Sequence, residues 1–311
     1  MEYRFDGRRA YLPMEFFQHN IFSATRRSGE EEGSVVLTKG LNWKSDQVSI
    51  WSPKTLRATP DMGVFLAVVA LTQRSVIEGS YNNADAVSQC YGYAEWGMKD
   101  LYNLTRSMHG GEGPIILAQT IKMLGEMKIT IKCADPCRHR NRSIIHYGPL
   151  WKTDIIPRKG PLGNLVRISP VRFLIPPFDE SQESYQFASA DLCNILSSPT
   201  AKGIFWALLP REHLSAKPGQ WGEIIGANNK DISRWCKTSF RPALDELVSK
   251  GYSVKEKDTG EIVIKRPPLS RMEAVMKTER IRKMEKRAGK GNVQILPEKI
   301  NSMPGSATKV A

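Results

Sequence analysis

The 311-residue chain lacks any apolar run long enough to cross a bilayer. The longest, Val64 to Leu71, is far short of the roughly 20 residues that a spanning helix needs. With a mean hydropathy of −0.37, no membrane partner is expected. Cysteine is scarce. The five at positions 90, 133, 137, 193 and 236 form an odd set without framework spacing, which argues against a disulfide scaffold and for reduced thiols. Met1 to Asp6 mix charged and apolar residues and have no apolar core ahead of a small-residue cleavage site, so a cytoplasmic protein is expected. No G-x-x-x-x-G-K-[ST] loop exists to cradle phosphates, and no two histidines flank a single apolar residue as a metal-dependent nickase requires. The chain is therefore expected not to be an enzyme and to need no cofactor. Cys133, Cys137, His139 and His146 match none of the strong zinc spacings and would have to converge across a hairpin, so no metal is expected.

What the sequence does have is positive charge, and it is segregated. The net charge is +13. Seven basic residues against two acidic ones lie between Lys132 and Lys159, and seventeen against nine between Lys230 and Lys290. Outside these zones the signs balance, so the chain is a neutral body with two basic zones, the footprint of a polyanion-binding protein.

Helix start signals appear twice. Thr59-Pro60-Asp61 offers a cap, a proline suited to the first helical position and an acid for the helix dipole, ahead of the apolar run Val64 to Leu71. Ser198-Pro199 repeats the signal ahead of Ala201, Ile204, Phe205, Leu208 and Leu209 at helical spacing, stopped by Pro210. After the second start come a short helix from Gln220 to Ile225, a turn at Gly226-Ala227-Asn228, and a longer helix from Asn229 to Lys250. Two alternating strands around Asp258-Thr259-Gly260 then supply a β-hairpin. The first start leads to a parallel series: helices from Met98 to Met108 and from Pro114 to Met127, then a hairpin of Lys128 to Cys133 and Ser143 to Tyr147. Ahead of it, alternation at Val35, Leu37, Val48 and Ile50 reads as short strands or an extended arm.

This is an α+β chain with two winged helices in tandem, each a helix-turn-helix followed by a β-hairpin. The expected divisions are an N-terminal arm or strands over 1–55, a first winged helix over 56–156, a connector over 157–184 containing a strand at Leu165 to Ile168, a second winged helix over 185–267, and a basic helix and disordered tail over 268–311.

The second unit carries the functional signal. At 100° per residue Lys230, Arg234, Lys237 and Arg241 fall within an arc of about 60°, with no acid among them. Ile232, Cys236, Phe240, Ala243 and Leu247 fall on the opposite side as an apolar back. Such a helix fits a major groove, where Arg and Lys meet guanine edges and phosphates and Ser233, Thr238 and Ser239 add short hydrogen bonds. Lys255 and Lys257 on the hairpin are placed for backbone contact. Pro242 removes a backbone donor, so a kink is expected just after Arg241. In the first unit the equivalent helix exposes Gln119, Lys122 and Glu126, a poor face for a polyanion. The candidate contacts there are Arg138, Arg140 and Arg142 at the hairpin tip. Trp206, Trp221 and Trp235 read as core aromatics, since no base-stacking ladder is present.

The order of elements resembles that of the tandem winged-helix replication initiators of plasmids, which bind repeated origin sequences called iterons. The resemblance covers about residues 55–266. It rests on the helix from Thr59, Lys128-Ile-Thr-Ile-Lys132, Leu165-Val-Arg-Ile168, Ser198-Pro-Thr-Ala-Lys-Gly203 and the run from Phe240 to Tyr252. It implies that the second unit does most of the reading of double-stranded DNA, while the first serves dimerisation and further DNA contact. It also implies a monomer/dimer equilibrium, repression of the chain's own gene and recruitment of the host initiator and replicative helicase. A transcriptional regulator of the same fold, without origin function, is the alternative. Truncation after Pro268 should weaken binding to every DNA sequence and flatten its salt dependence, because the tail offers only phosphate-seeking charge; an unchanged salt slope would exclude the tail from binding.

Overall fold

The computed structural model describes residues 6–17, 21–24, 35–39, 47–54, 56–81, 93–105, 113–132, 144–170, 185–227 and 231–268, with Thr278 and Ile281 beyond them. The chain divides into one compact unit, Met1–Pro268, and a second, Leu269–Ala311. In the latter Thr278 and Ile281 are helical and exposed; the rest of the basic helix and tail lies outside the described residues.

Strand Arg9–Pro13 (β1) runs into a short helix, Met14–Phe17 (α1), and the alternating segment ahead of the first unit forms the pair Val35–Lys39 (β2) and Gln47–Trp51 (β3). Helix Asp61–Tyr81 (α2) buries Val64 to Leu71. Strand Ala94–Gly97 (β4) leads into Met98–Thr105 (α3), and Gly113–Glu126 (α4) is followed by the hairpin Lys128–Lys132 (β5) and Ile144–Tyr147 (β6). Trp151–Ile156 (β7) and Leu165–Pro170 (β8) complete the first half. The second half comprises Tyr185–Ser189 (β9), Ala190–Ile195 (α5), Pro199–Leu208 (α6), His213–Ala216 (β10) and Pro218–Ile224 (α7). Then come Ile232–Trp235 (α8), a π-helical turn Cys236–Phe240, and Arg241–Ser249 (α9), which run on as one helix into the hairpin Ser253–Glu256 (β11) and Ile262–Lys265 (β12). Two winged helices stand in tandem, as the sequence indicates.

Pairing between distant segments adds to the sequence reading in three places. The strands expected within residues 1–55 are present and join sheets with later segments. β3 pairs with β5, Ile50 opposite Ile129, to extend the first hairpin into the sheet β2-β3-β5-β6, and β1 pairs with β9, Tyr11 opposite Phe187. The strand assigned to the connector, β8, is the middle of the sheet β4-β8-β7 and belongs to the first half. The second hairpin gains a third strand, β10, through β12. The first helix start also differs in detail. The Thr59 hydroxyl has no hydrogen-bond partner. The Met62 N–H donates instead to the Arg57 carbonyl at 3.2 Å, and the Asp61 carboxylate accepts the Arg57 N–H at 2.8 Å. At the second start the expected cap is present, Ser198 Oγ accepting from Ala201 N–H.

Aromatic residues weld the halves together. Phe65 on α2 lies 6.0 Å from Trp151 and 6.5 Å from Trp206 on α6, and Phe22 packs at 5.6 Å from Phe65 and 5.2 Å from Trp206. Phe17 adds a contact at 5.0 Å to Trp206. These rings are almost wholly buried. A shared core of this kind makes the chain through Pro268 one body, because neither half can expose its side of the cluster without losing aromatic packing.

Charged groups are buried as well. Lys202 on α6 is 1% exposed, and Asp61 at the start of α2 is 7% exposed. Burial pushes the Asp61 carboxyl up from its ordinary 3.8 to about 6, against the opposing pull of the Arg57 N–H and of the Arg57, Lys202 and Lys54 charges. The folded chain therefore holds this proton more tightly than the unfolded chain does. The stability it contributes is present below pH 3.8 and is lost as pH rises through about 6. Asp61→Asn keeps an acceptor without the charge, so its stability relative to wild type should rise by roughly 2 to 3 kcal/mol between pH 4 and pH 7. Urea midpoints across that range check this, and a difference that does not change with pH would refute it.

Candidate nucleic-acid interface

The second helix-turn-helix is built by caps and aromatics. α7 opens with Pro218, and the Lys217 N–H donates to Gln220 Oε1 at 3.0 Å. Gly226 takes a φ of +66° in the turn that ends α7, a conformation that favours glycine. The next helix begins later than expected, at Ile232, because Asp231 caps it: Oδ1 accepts from the Arg234 N–H at 2.9 Å. Behind the helix Trp235 stacks on Phe240 at 4.9 Å, Trp221 lies 6.3 Å from Phe240, and Trp221 Nε1 donates to the Ile262 carbonyl at 3.0 Å. These contacts fasten the helix and hairpin together, and Trp206, Trp221 and Trp235 are all buried, as expected of core aromatics.

The π turn changes the phase of the helix. Pro242 cannot donate to the carbonyl four residues back, and its ring crowds that carbonyl. The backbone responds before the proline rather than after it: the Arg241 N–H reaches the Cys236 carbonyl, five residues back. The wider turn lets two residues five apart, Trp235 and Phe240, share the buried side. The apolar back is therefore Trp235, Phe240, Ala243, Leu244 and Leu247, not the expected set. Ile232 is 51% exposed and Cys236 is half-buried.

Ser233, Arg234, Lys237 and Thr238 are exposed on the N-terminal part of this helix. Ser239 is half-buried, and the Thr238 hydroxyl donates to the Arg234 carbonyl at 3.0 Å, leaving its oxygen as an acceptor. The extra residue in the turn sets Arg241 back by roughly one step of the helical wheel, ~100°. Its guanidinium lies 3.9 Å from the Glu256 carboxylate on β11, so it sits at the junction of helix and hairpin instead of in line with Arg234. Lys255 is exposed and lies opposite Val263, on the face of the hairpin away from the buried Ile262 and Ile264. At the hairpin turn Lys257 pairs with Glu261 at 2.9 Å, and Ser215 Oγ also donates to that carboxylate. Lys230, Arg138, Arg140 and Arg142 lie outside the described residues, as do Cys133, Cys137, His139 and the His146 side chain.

One residue that supports the interface was missed by the sequence reading. Glu246 on α9 accepts from Ser197 N–H at 2.5 Å, Ser197 Oγ at 2.9 Å and Ser198 N–H at 3.0 Å. A carboxylate on α9 thus satisfies donors at the start of α6 and ties that helix to the element that bears Trp206. The signal was available in part: Ser197-Ser198-Pro199 announces a helix start, but the distant acid that completes it could not be paired from sequence. Among the described residues, no group of three or more His, Cys, Asp or Glu side chains is placed to hold a metal, and no helix is long and apolar enough to cross a membrane.

No family model matches the chain, and no curated protein matches it in sequence. Among solved structures the chain is similar to domains 2 and 3 of RctB. A selenomethionine derivative of those domains aligns with a TM-score of 0.52 at 11% identity, over 82% of this chain and 98% of that one. A second structure of RctB domains 2–3 gives 0.49 at 10% identity, over 81% and 96%. The Pi initiator protein, in a complex with iteron DNA, gives 0.41 at 14% identity, over 67% and 88%. The likeness to RctB domains 2 and 3 shows a shared fold across most of both chains.

Replacing Glu246 with Ala should cost about 1 to 2 kcal/mol of stability, the usual loss for a helix cap. Thermal or urea unfolding checks this, and an unchanged midpoint would show that the three hydrogen bonds add nothing.

Proposed function

We propose that the chain is a plasmid-type replication initiator. It binds repeated origin sequences in double-stranded DNA through the helix from Ile232 to Ser249 and its hairpin. The observation that carries this reading is the exposed face bearing Ser233, Arg234, Lys237 and Thr238. It is backed by Trp235 and Phe240 and flanked by a β-ribbon, with no acid on that part of the helix beyond its cap, Asp231. A major groove admits one helix, and a rigid cationic face is what its guanine edges and phosphates select. Support for an initiator over a single-site regulator comes from the sequence resemblance across about residues 55–266 and from the tandem fold shared with RctB domains 2 and 3.

On this reading the protein performs no chemistry itself. Without a phosphate-cradling loop it recruits the host initiator and replicative helicase, and it represses its own gene when dimeric. It acts in the cytoplasm and contributes to plasmid copy control. The first winged helix serves dimerisation and auxiliary DNA contact, with Arg138, Arg140 and Arg142 as its proposed contacts.

Binding to DNA carrying direct repeats, an inverted repeat or a scrambled sequence tests the proposal. Preference for direct repeats is expected; preference for the inverted repeat alone favours the transcriptional regulator. Arg234→Ala and Lys237→Ala should each cost about 1 to 3 kcal/mol if the side chain reads a base, with lost discrimination at that base pair. Sequence preference fully retained in the double mutant would overturn the assignment of this face.

A further inference from the structure

We propose that Phe22-Ser23-Ala24 is a positioning splint that sets the DNA-reading helix against the first winged helix, with Ser23 as its key side chain. The inference rests on the DNA-binding reading above. These residues lie about 160 positions before the second winged helix, yet together they touch both halves of the protein. The Phe22 ring stands between Phe65 on α2 and Trp206 on α6. On the side of the first half, the Ser23 N–H donates to the Leu56 carbonyl at 3.0 Å and the Ala58 N–H to the Ser23 carbonyl at 2.8 Å, three residues before α2 begins. On the other side, Ser23 Oγ donates to the Gly226 carbonyl at 3.0 Å and the Ala24 N–H to the Ile225 carbonyl at 3.2 Å.

The second pair of bonds falls at a sensitive place. Ile225 and Gly226 end α7, where a helix leaves carbonyls without partners of its own, and they form the turn five residues before Asp231, the cap of the reading helix. The splint supplies donors to that turn from outside the motif. Gly203 on α6 closes the remaining side: a Cβ there would stand 2.9 Å from the Ile225 Cβ and 3.3 Å from the Ala24 Cβ. Splint, turn and α6 thus meet without spare room. A shift of Ser23 against Leu56 and Ala58 moves the turn, and with it the angle at which the helix is presented. Base contacts depend on that angle, whereas phosphate contacts, being mostly charge, tolerate small changes in it.

The experiment uses the full chain, Ser23→Ala, Ser23→Thr as the variant that keeps the hydroxyl, and repeat and scrambled duplexes. Ser23→Ala should exchange the Gly226 and Ala227 amides faster than wild type. It should lose roughly three- to tenfold in affinity for repeat DNA, the scale of one hydrogen bond, while its affinity for scrambled DNA and its salt slope stay unchanged. Ser23→Thr should restore the wild-type ratio. Gly203→Ala, which pushes the same turn from the α6 side, should reproduce the loss of discrimination. A merely structural splint would lower the unfolding midpoint without changing the ratio of affinities in the folded protein. Equal losses on both duplexes, an unchanged ratio, or unaltered exchange at the turn would each overturn the proposal while leaving the DNA-binding reading intact. A wild-type protein that does not distinguish repeat from scrambled DNA would remove that reading, and the splint's role with it.

Discussion

Everything in the molecule up to Pro268 hangs on one cluster of buried rings. Phe65 from the first winged helix and Trp206 from the second share Phe22 between them, with Trp151 and Phe17 at the margins. Winged helices are small, and one alone has little interior to spare. Setting two of them on a common aromatic core lets each complete its burial against the other. It also means that the halves are not beads on a linker. Asp61 and Lys202 are buried in the same α2 and α6 that carry Phe65 and Trp206, a placement that penalises ionisation of Asp61.

From this seam the constraint passes to the helix from Ile232 to Ser249 by two routes. One runs through α6, whose first turn is held by Glu246 of that helix itself. The other runs through residues 22–24 to the turn at Ile225 and Gly226. The helix is thus fixed near both ends, at the turn before its cap and in its last two turns. Between these anchors it must fit both Pro242 and a continuous apolar back. The π turn reconciles them: it accommodates the proline, brings Trp235 and Phe240 onto one side, and swings Arg241 toward Glu256. A strict α-helix would have kept the cations in line but split the two aromatics.

Much of this was legible in the sequence, and the boundary of legibility is physical. Signals within a few residues of each other were readable: Ser198-Pro199, Gly226 and the Asp258-Thr259-Gly260 turn mark the second winged helix closely. Partnerships between segments far apart in the sequence were not. β1 with β9 and Glu246 with Ser197 and Ser198 leave no local trace beyond suitable composition. The N-terminal segment did hold a hint, since Phe16, Phe17, Ile21 and Phe22 are too apolar for a solvated arm. The helix phase failed for another reason. A 100° wheel presumes an unbroken α-helix, and only Pro242 warned that it was interrupted. The proline suggested a kink downstream, whereas the backbone adjusted upstream.

The two units differ in what their corresponding helices offer, and that difference bears on how the chain divides its work. On α4 the exposed residues include Ile115, Ile116, Gln119, Lys122 and Glu126, a face of mixed sign with two large apolar groups. On the second unit's helix the corresponding exposed positions are Ser233, Arg234, Lys237 and Thr238. The same architecture thus carries two surfaces, one poorly suited to a polyanion and one well suited. Rigid coupling through the aromatic seam turns that asymmetry into geometry: wherever the second unit docks, α4 is carried to a set place beside it. A flexible linker would leave the orientation of the first unit free; a shared core fixes it to that of the second unit.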